Sequence, residues 1–285
     1  MTATSTSSAA GSRPGDVVLE ARGITKDFRG GVRARRFARR GSFRAVDDVS
    51  LDLRLGQVVA LVGQSGSGKS TVARLLAQLY PVTAGEILLD GNPVRASSGR
   101  SFTDYCGSVQ MILQDPFASL NPLHRIHYIL GRATKIHAPE LSSEQITERS
   151  LELLTRVNLA PAEHYLERFP HELSGGERQR VSFARALAAN PRVLLADEPV
   201  SMLDVTIRKE MLDLLDRLRR EENLAVLYIT HDLASAGTYS DQTLVMYHGK
   251  IVERGPSRQV ISDPQDEYTQ RLLAAAPDPA RRRRR

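Results

Sequence analysis

The sequence predicts an α/β protein: a parallel sheet with helices on its faces, an antiparallel β region on its N-terminal side, and a helical insert. Three observations predict it. Short apolar runs at QVVALV (57–62), VLLA (193–196) and AVLYI (225–229) have the length and β-branched content of strands buried on both faces. Segments of helical spacing (70–79 and 207–222) follow the first run and separate the other two, and strand–helix–strand alternation implies parallel pairing. Two earlier segments, DVVLEARGITKDF (16–28) and AVDDVSLDLRL (45–55), instead alternate apolar and polar residues, as half-exposed antiparallel strands do.

In chain order, residues 1–15 are small, polar and aperiodic and read as a disordered leader. The two alternating strands are separated by an Arg-rich loop. Gln57–Val62 then enters a Gly-rich turn as a buried central strand, and Ser70–Leu79 follows as a helix. From Pro116 to about Ala189 the pattern is helical, with a capping signal at Ser142-Ser143-Glu144-Gln145. Val193–Ala196 and Ala225–Ile229 return to the sheet with the helix Ile207–Glu222 between them. The expected domain is 16–255, with a helical subdomain at about 116–189. After Gly255 the chain is expected to leave the core as an extension (256–285) ending in an Arg tail.

Composition narrows the function classes. At 285 residues the chain has room for about two domains of ~150 residues, or one large domain with insertions. Hydrophobic residues at 41 % and charged residues at 25 % are enough for a sizeable core. No run approaches the ~18 consecutive apolar residues of a membrane span, and the first residues lack the basic start and apolar stretch of a secretory signal. The single cysteine, Cys106, excludes an intramolecular disulfide framework and any multi-thiolate metal site. A cytoplasmic protein fits these features. Net charge is +6, but residues 281–285 are five arginines and residues 28–45 hold seven more with no acid, so the remainder carries −6. The basic character sits in a tail and one insertion. That argues against a nucleic-acid face on the folded body.

Three motifs carry the chemistry. The first is Gly63-Gln64-Ser65-Gly66-Ser67-Gly68-Lys69-Ser70-Thr71, a G-x-x-x-x-G-K-S sequence framed by an apolar strand and a helix. Its glycines let the backbone wrap a polyphosphate and present N–H groups, and the helix N-terminus adds positive potential. Lys69 would neutralise β- and γ-phosphate charge, and Ser70 would ligate Mg²⁺. The second is the apolar strand Val193–Ala196 running into Asp197-Glu198-Pro199, which places two carboxylates at the carboxyl edge of a parallel sheet, where ligands bind. Asp197 would hold Mg²⁺ through water and Glu198 would polarise the attacking water. Alone, such acids read as solvated strand-end residues; a phosphate loop 128 positions upstream changes that reading. The third is Leu173-Ser174-Gly175-Gly176-Glu177-Arg178-Gln179-Arg180, a second hydroxyl-and-amide cradle ahead of a helix. One nucleotide does not need two cradles, so a head-to-tail pair is implied, in which this cradle caps a nucleotide held by another subunit. Ser174 as a helix N-cap is compatible with that role.

LSGGERQR, between a phosphate loop and VLLADEP, resembles the signature of ATP-binding-cassette (ABC) ATPases. The remaining elements are similar in order. Gln114 in ILQDP resembles the Q-loop, Ser201-Met202-Leu203-Asp204 the D-loop, and His231 in YITHD the switch histidine, over about residues 17–255. QDPFASLNP (114–122), FPHELSGGERQR (169–180), DEPVSMLDV (197–205) and the tail from Glu267 to Pro277 resemble cassettes of oligopeptide, dipeptide and nickel importers. That sub-family usually has HPYT where this chain has Asp266-Glu267-Tyr268-Thr269, and the cysteine cluster of some relatives cannot form here.

The resemblance implies a P-loop NTPase (RecA-like) core that binds ATP and Mg²⁺. Gln114 would contact Mg²⁺ or the lytic water and report on the membrane partner. His231 would hydrogen-bond the γ-phosphate, and Asp204 would act across a dimer interface. Adenine would stack on an aromatic near the end of the first strand; Phe28 is the choice and Phe43 the rival. The implied partners are a second ABC ATPase subunit (by family habit a sister chain), two membrane permease subunits docking near Gln114–Asn121, and an extracytoplasmic solute-binding protein. The implied location is the cytoplasmic face of the plasma membrane. Soluble cassette ATPases and exporters fit less well. There is one cassette, 59 residues between Gln114 and Ser174, one cysteine, and a long extension beyond Gly255.

Overall fold

In a computed structural model, which describes residues 13–29, 42–94, 99–115 and 119–275, the apolar runs form the middle of a six-stranded sheet. The expected leader up to residue 12, the centre of the Arg-rich insertion, Pro116–Ala118 and the Arg tail lie outside the described residues. The strands are β3 (Val58–Val62), β6 (Val109–Ile112), β7 (Val193–Asp197), β8 (Ala225–Thr230), β9 (Gln242–Tyr247) and β10 (Lys250–Pro256), in the order β10-β9-β3-β8-β7-β6. All pairings are parallel except the β9–β10 edge hairpin. Every residue of β3, β7 and β8 is buried, as expected of parallel strands covered on both faces.

Side chains along these strands divide between two cores with the period of two that a pleat imposes. Val58, Ala60, Val62, Leu194, Val226, Tyr228 and Val245 face one core. Val59, Leu61, Leu195, Leu227, Ile229, Leu244 and Met246 face the other. The second core is closed by helix Lys69–Leu76 and by a four-stranded antiparallel sheet of order β2-β1-β4-β5, comprising β1 (Val17–Arg29), β2 (Ser42–Arg54), β4 (Ala84–Leu89) and β5 (Asn92–Pro93). The alternation read in 16–28 and 45–55 is the inner and outer face of this sheet. Its register shifts between Ala21 and Ile24 and between Lys26 and Asp27, and these irregularities bend the ribbon over the core.

The first core is shared with the helices between β6 and β7: Ile126–His137, Ser143–Arg156, Glu163–Leu166 and Gly175–Leu187. The capping box forms as expected. The Ser142 hydroxyl accepts the Gln145 N–H at 3.3 Å, and the Gln145 carboxamide accepts the Ser142 N–H at 2.8 Å. Phe183, Val181 and Leu187 of the last helix join Leu130, Leu153 and Leu154 in this core.

One expectation is overturned. The chain does not leave the core after Gly255: helices Ser257–Ser262 and Glu267–Ala275 pack back on it. Val260 and Tyr268 are buried there, and Leu272 packs against the same core from one turn beyond Tyr268. Short helices with apolar residues at three- and four-residue spacing bury one face without a long periodic signal. Among the described residues, no helix is long and apolar enough to cross a membrane.

Leu61 is fully buried at the centre of β3, so Leu61→Ala should cost about 2–5 kcal/mol of folding stability. Urea denaturation would show this as a lower midpoint with an unchanged slope.

Candidate active site

The phosphate-loop sequence follows the carboxyl end of β3 and runs directly into helix Lys69–Leu76. Its glycines are required where the loop touches backbone. A Cβ on Gly63, at φ +153°, would sit 2.2 Å from the Met246 carbonyl oxygen, and one on Gly68, at φ +109°, 2.4 Å from that of Ala45. The turn after β9 also holds the loop, since Gly249 N–H donates to the Ser67 carbonyl at 2.9 Å. Lys69 donates from Nζ to the carbonyls of Gly63 (2.7 Å) and Gln64 (2.9 Å).

The loop floors a cleft of about 760 Å³. Gly63, Gln64, Ser65, Gly66, Gly68, Lys69, Ser70 and Thr71 line it, with Gln114, Glu198 and His231. Of the loop residues named from sequence, Ser67 is turned inward, its hydroxyl buried without a hydrogen-bond partner among the described residues.

At one end of the cleft three predicted residues converge. Gln114 Nε2 donates to Glu198 Oε2 at 3.2 Å, and His231 Nδ1 lies 3.4 Å from the same oxygen. Glu198 is held at φ +45°. Its N–H donates to Ile229 O at 3.1 Å, and its carbonyl accepts the Ser201 N–H and hydroxyl at 3.2 and 3.1 Å. A non-glycine residue in left-handed backbone is strained, and here neighbouring strand ends hold it. Asp197 lies beneath, buried, and accepts the Ser70 hydroxyl at 2.8 Å. Burial pushes the Asp197 carboxyl up, with Ser70 and Arg74 opposing the shift. Burial likewise lowers Lys69, partly countered by Glu198 and Asp197.

One predicted residue is placed differently. Phe28 does not line the cleft: its ring meets Tyr80 edge-on at 5.5 Å, with Lys26 Nζ 5.3 Å above it. Phe43, its cross-strand partner, does line the cleft and is 64 % exposed. The Arg-rich insertion obscured which aromatic the strand pairing would bring forward. Asp204 is the N-cap of helix Val205–Glu221, accepting the Thr206 and Ile207 N–H groups at 3.1 and 3.0 Å. Flanking it, Met202 and Val205 are exposed.

The second cradle stands apart from this cleft. Ser174 is the N-cap of helix Gly175–Leu187, in a capping box with Glu177. Glu177 also accepts the Tyr165 hydroxyl at 3.0 Å, a support that no local sequence signal announced. Two further lining residues escaped sequence reasoning, Ala45 and Leu272. The second belongs to the segment EYTQRLL, whose only signal was a resemblance.

Comparison with known proteins agrees with this geometry. Residues 46–201 match the family described as ABC transporter. The chain is 42 % identical over 241 residues to the oligopeptide transport ATP-binding protein OppF of Bacillus subtilis, covering 84 % of this chain and 78 % of that one. It is 45 % identical to the peptidoglycan transport ATP-binding protein YejF of Agrobacterium fabrum and 42 % identical to the glutathione import ATP-binding protein GsiA of Salmonella typhimurium, over 82 % and 95 % of this chain. It spans less than half of those two relatives, 44 % and 43 % of their lengths. Among solved structures, the ATP-binding cassette MJ0796, described as a dimer in a post-hydrolysis state bound to ADP and Pi, superposes with a TM-score of 0.73 at 27 % identity, covering 84 % of this chain and 99 % of that one. The phosphate loop, the acids ending β7 and the LSGGE helix thus stand in the fold that these relatives share, and the chain belongs to the ABC transporter family of ATP-binding proteins.

Proposed function

We propose that this chain is an ATP-hydrolysing subunit of an ABC importer, energising uptake of peptides or a related solute (nickel or an oligosaccharide) through membrane permeases. The observation that carries the reading is the convergence of Gln114, Glu198 and His231 at one end of a cleft floored by a phosphate loop. ATP lies with its phosphates on the loop amides and Lys69, and with its adenine against Phe43 rather than Phe28. Glu198 accepts a proton from a water that attacks the γ-phosphorus. The bond to the β–γ bridging oxygen breaks, and ADP and inorganic phosphate leave. His231 donates to a γ-phosphate oxygen, and Gln114 orients the water. Ser70 and Gln114 would offer oxygen donors to Mg²⁺, and Asp197, bonded to the Ser70 hydroxyl, would hold it through water; a bound Mg²⁺ would supply neutralisation of phosphate charge.

The second cradle supports a pair of cassettes. Ser174, Gly175, Gly176 and Glu177 do not line the cleft of their own chain, and exposed Met202 and Val205 offer apolar surface for a partner. In such a pair, each nucleotide touches one phosphate loop and the opposite signature, and closure assembles the site. Asp204 then sits at the seam, and the partner is a sister chain. The helical region beyond Gln114 exposes Leu123 (81 %), Tyr128 and Ile136, which suits two permease subunits. A solute-binding protein completes the complex on the far side of the plasma membrane, with the cassettes on its cytoplasmic face. No nucleic acid takes part.

Affinity purification of the tagged chain from membranes solubilised in mild detergent should recover two multi-span permeases and a second cassette. Recovery only from the soluble fraction, or with ribosomes or nucleic acid, would sink the importer reading. Glu198→Gln should bind ATP normally and lose about 10²–10⁴-fold in turnover; normal phosphate release by this variant would refute the role of Glu198.

The raised pKa of Asp197 predicts a trade-off. A folded-state pKa above the unfolded value contributes stability below the ordinary carboxylate range, and that contribution is lost as pH rises through the raised value. Above the ordinary carboxylate range, burial of this group therefore opposes folding of the nucleotide-free chain. Asp197→Asn, which keeps an acceptor for Ser70 and removes the charge that is buried, should raise the melting temperature of the nucleotide-free chain while weakening Mg²⁺-dependent ATP binding. Calorimetry of the nucleotide-free protein and titration with Mg²⁺ and ATP would read both effects.

A further inference from the structure

The final described helix, Glu267–Ala275, lies outside residues 46–201 of the family match and takes no part in the chemistry above. It nevertheless reaches the phosphate loop. The Tyr268 hydroxyl accepts the Gln64 backbone N–H at 3.0 Å, and Leu272, four residues on and so on the same helix face, lines the nucleotide cleft. The helix is firmly seated. The Tyr268 ring stacks on Tyr247 of β9 with centroids 4.1 Å apart and planes at 27°. Both oxygens of the Glu253 carboxylate accept N–H groups of the preceding turn, from Gln265 at 2.8 Å and Asp266 at 3.1 Å. Asp266 in turn accepts the Tyr268 N–H at 2.8 Å. Tyr268 and Thr269 are buried.

A loop with glycines at φ +153°, +80° and +109° has many other conformations open to it. Its apparent affinity for phosphate falls with the fraction of time it spends outside the binding-competent one. A hydrogen bond to its second residue from a helix anchored on β9 and β10 restricts the start of the loop without occupying the amides nearer Lys69. Thr269 packs inward beside Tyr268, which ties the orientation of the tyrosine to that of the helix.

We propose that the C-terminal helix is a positioning element of the nucleotide site: Tyr268 holds the phosphate loop in its binding conformation through Gln64, and Leu272 walls the cleft beside it. The proposal rests on reading the cleft as a nucleotide site. The latch acts where the loop begins, distant in sequence from Glu198, Gln114 and His231, so it governs affinity for ATP and ADP alike and leaves the chemical step alone.

The test is calorimetric titration of the full chain with ATP and with ADP at fixed Mg²⁺, alongside melting of the nucleotide-free protein and steady-state turnover. Tyr268→Phe keeps the stacked ring and removes the hydroxyl. It should weaken ATP and ADP binding equally, by about five-fold, with kcat at saturating ATP changed by less than about two-fold. Leu272→Ala leaves the hydroxyl bond in place and should weaken ATP binding by about three-fold. Wild-type affinity in both variants, whatever their melting temperatures, would overturn the proposal and reduce the helix to a structural cover. Failure of the wild-type chain to bind either nucleotide would instead remove the nucleotide reading of the cleft, and this proposal with it.

Discussion

A loop whose amides must face a polyphosphate can spare few of them for its own support: the Gln64 N–H goes to the Tyr268 hydroxyl and the Ser67 N–H to the Gln64 carbonyl, and much of this molecule is arranged around that constraint. The support comes from carbonyls, from close backbone packing and from other parts of the chain. Ser67 offers its carbonyl to Gly249 in the β9–β10 turn, and Lys69 reaches back to the carbonyls of Gly63 and Gln64. Gly63 and Gly68 pass so close to the Met246 and Ala45 carbonyls that no side chain fits. The edge hairpin, the second strand of the antiparallel sheet and the C-terminal helix therefore all bear on nine residues. Each is a different stretch of sequence brought to the same sheet edge.

Parallel topology supplies the other half of the site. Because β3, β7 and β8 run the same way, their carboxyl ends meet at one edge, and three residue types that chemistry requires arrive there together. The phosphate loop follows β3, Asp197 and Glu198 end β7, and His231 follows β8. Burial raises Asp197 and lowers Lys69, each partly offset by groups of opposite charge. Burying such charges is costly, and a bound polyphosphate would offset part of that cost at Lys69.

The LSGGE helix is placed by a separate logic. Its first turn is held by a capping box, Ser174 with Glu177, and Tyr165 fixes Glu177 from the preceding helical segment. Its apolar face, through Val181, Phe183 and Leu187, joins the core beneath the main sheet. The cradle is thus held by side-chain hydrogen bonds, yet it does not line the cleft of its own chain. Placement away from that cleft is what a site completed by a second cassette requires, and the exposed apolar residues beside Asp204 point the same way.

Much of this was legible in the sequence because the decisive signals are local. Buried parallel strands are short apolar runs, and a phosphate loop needs glycines, a lysine and a serine at fixed spacing. The capping boxes at Ser142 and Ser174 are written within four residues each. Other features depend on which strands pair and which surfaces meet, and these had no local mark. Strand pairing across an Arg-rich insertion put Phe43 rather than Phe28 at the cleft. Packing of two short helices kept residues 257–275 on the core and carried Leu272 to the cleft. The order of motifs by itself determined the family and the nucleotide chemistry, because each motif is a backbone conformation encoded by adjacent residues. Only the tertiary structure decided which distant side chains hold and wall that chemistry, because such contacts depend on the register of strands and the docking of helices far apart in the chain.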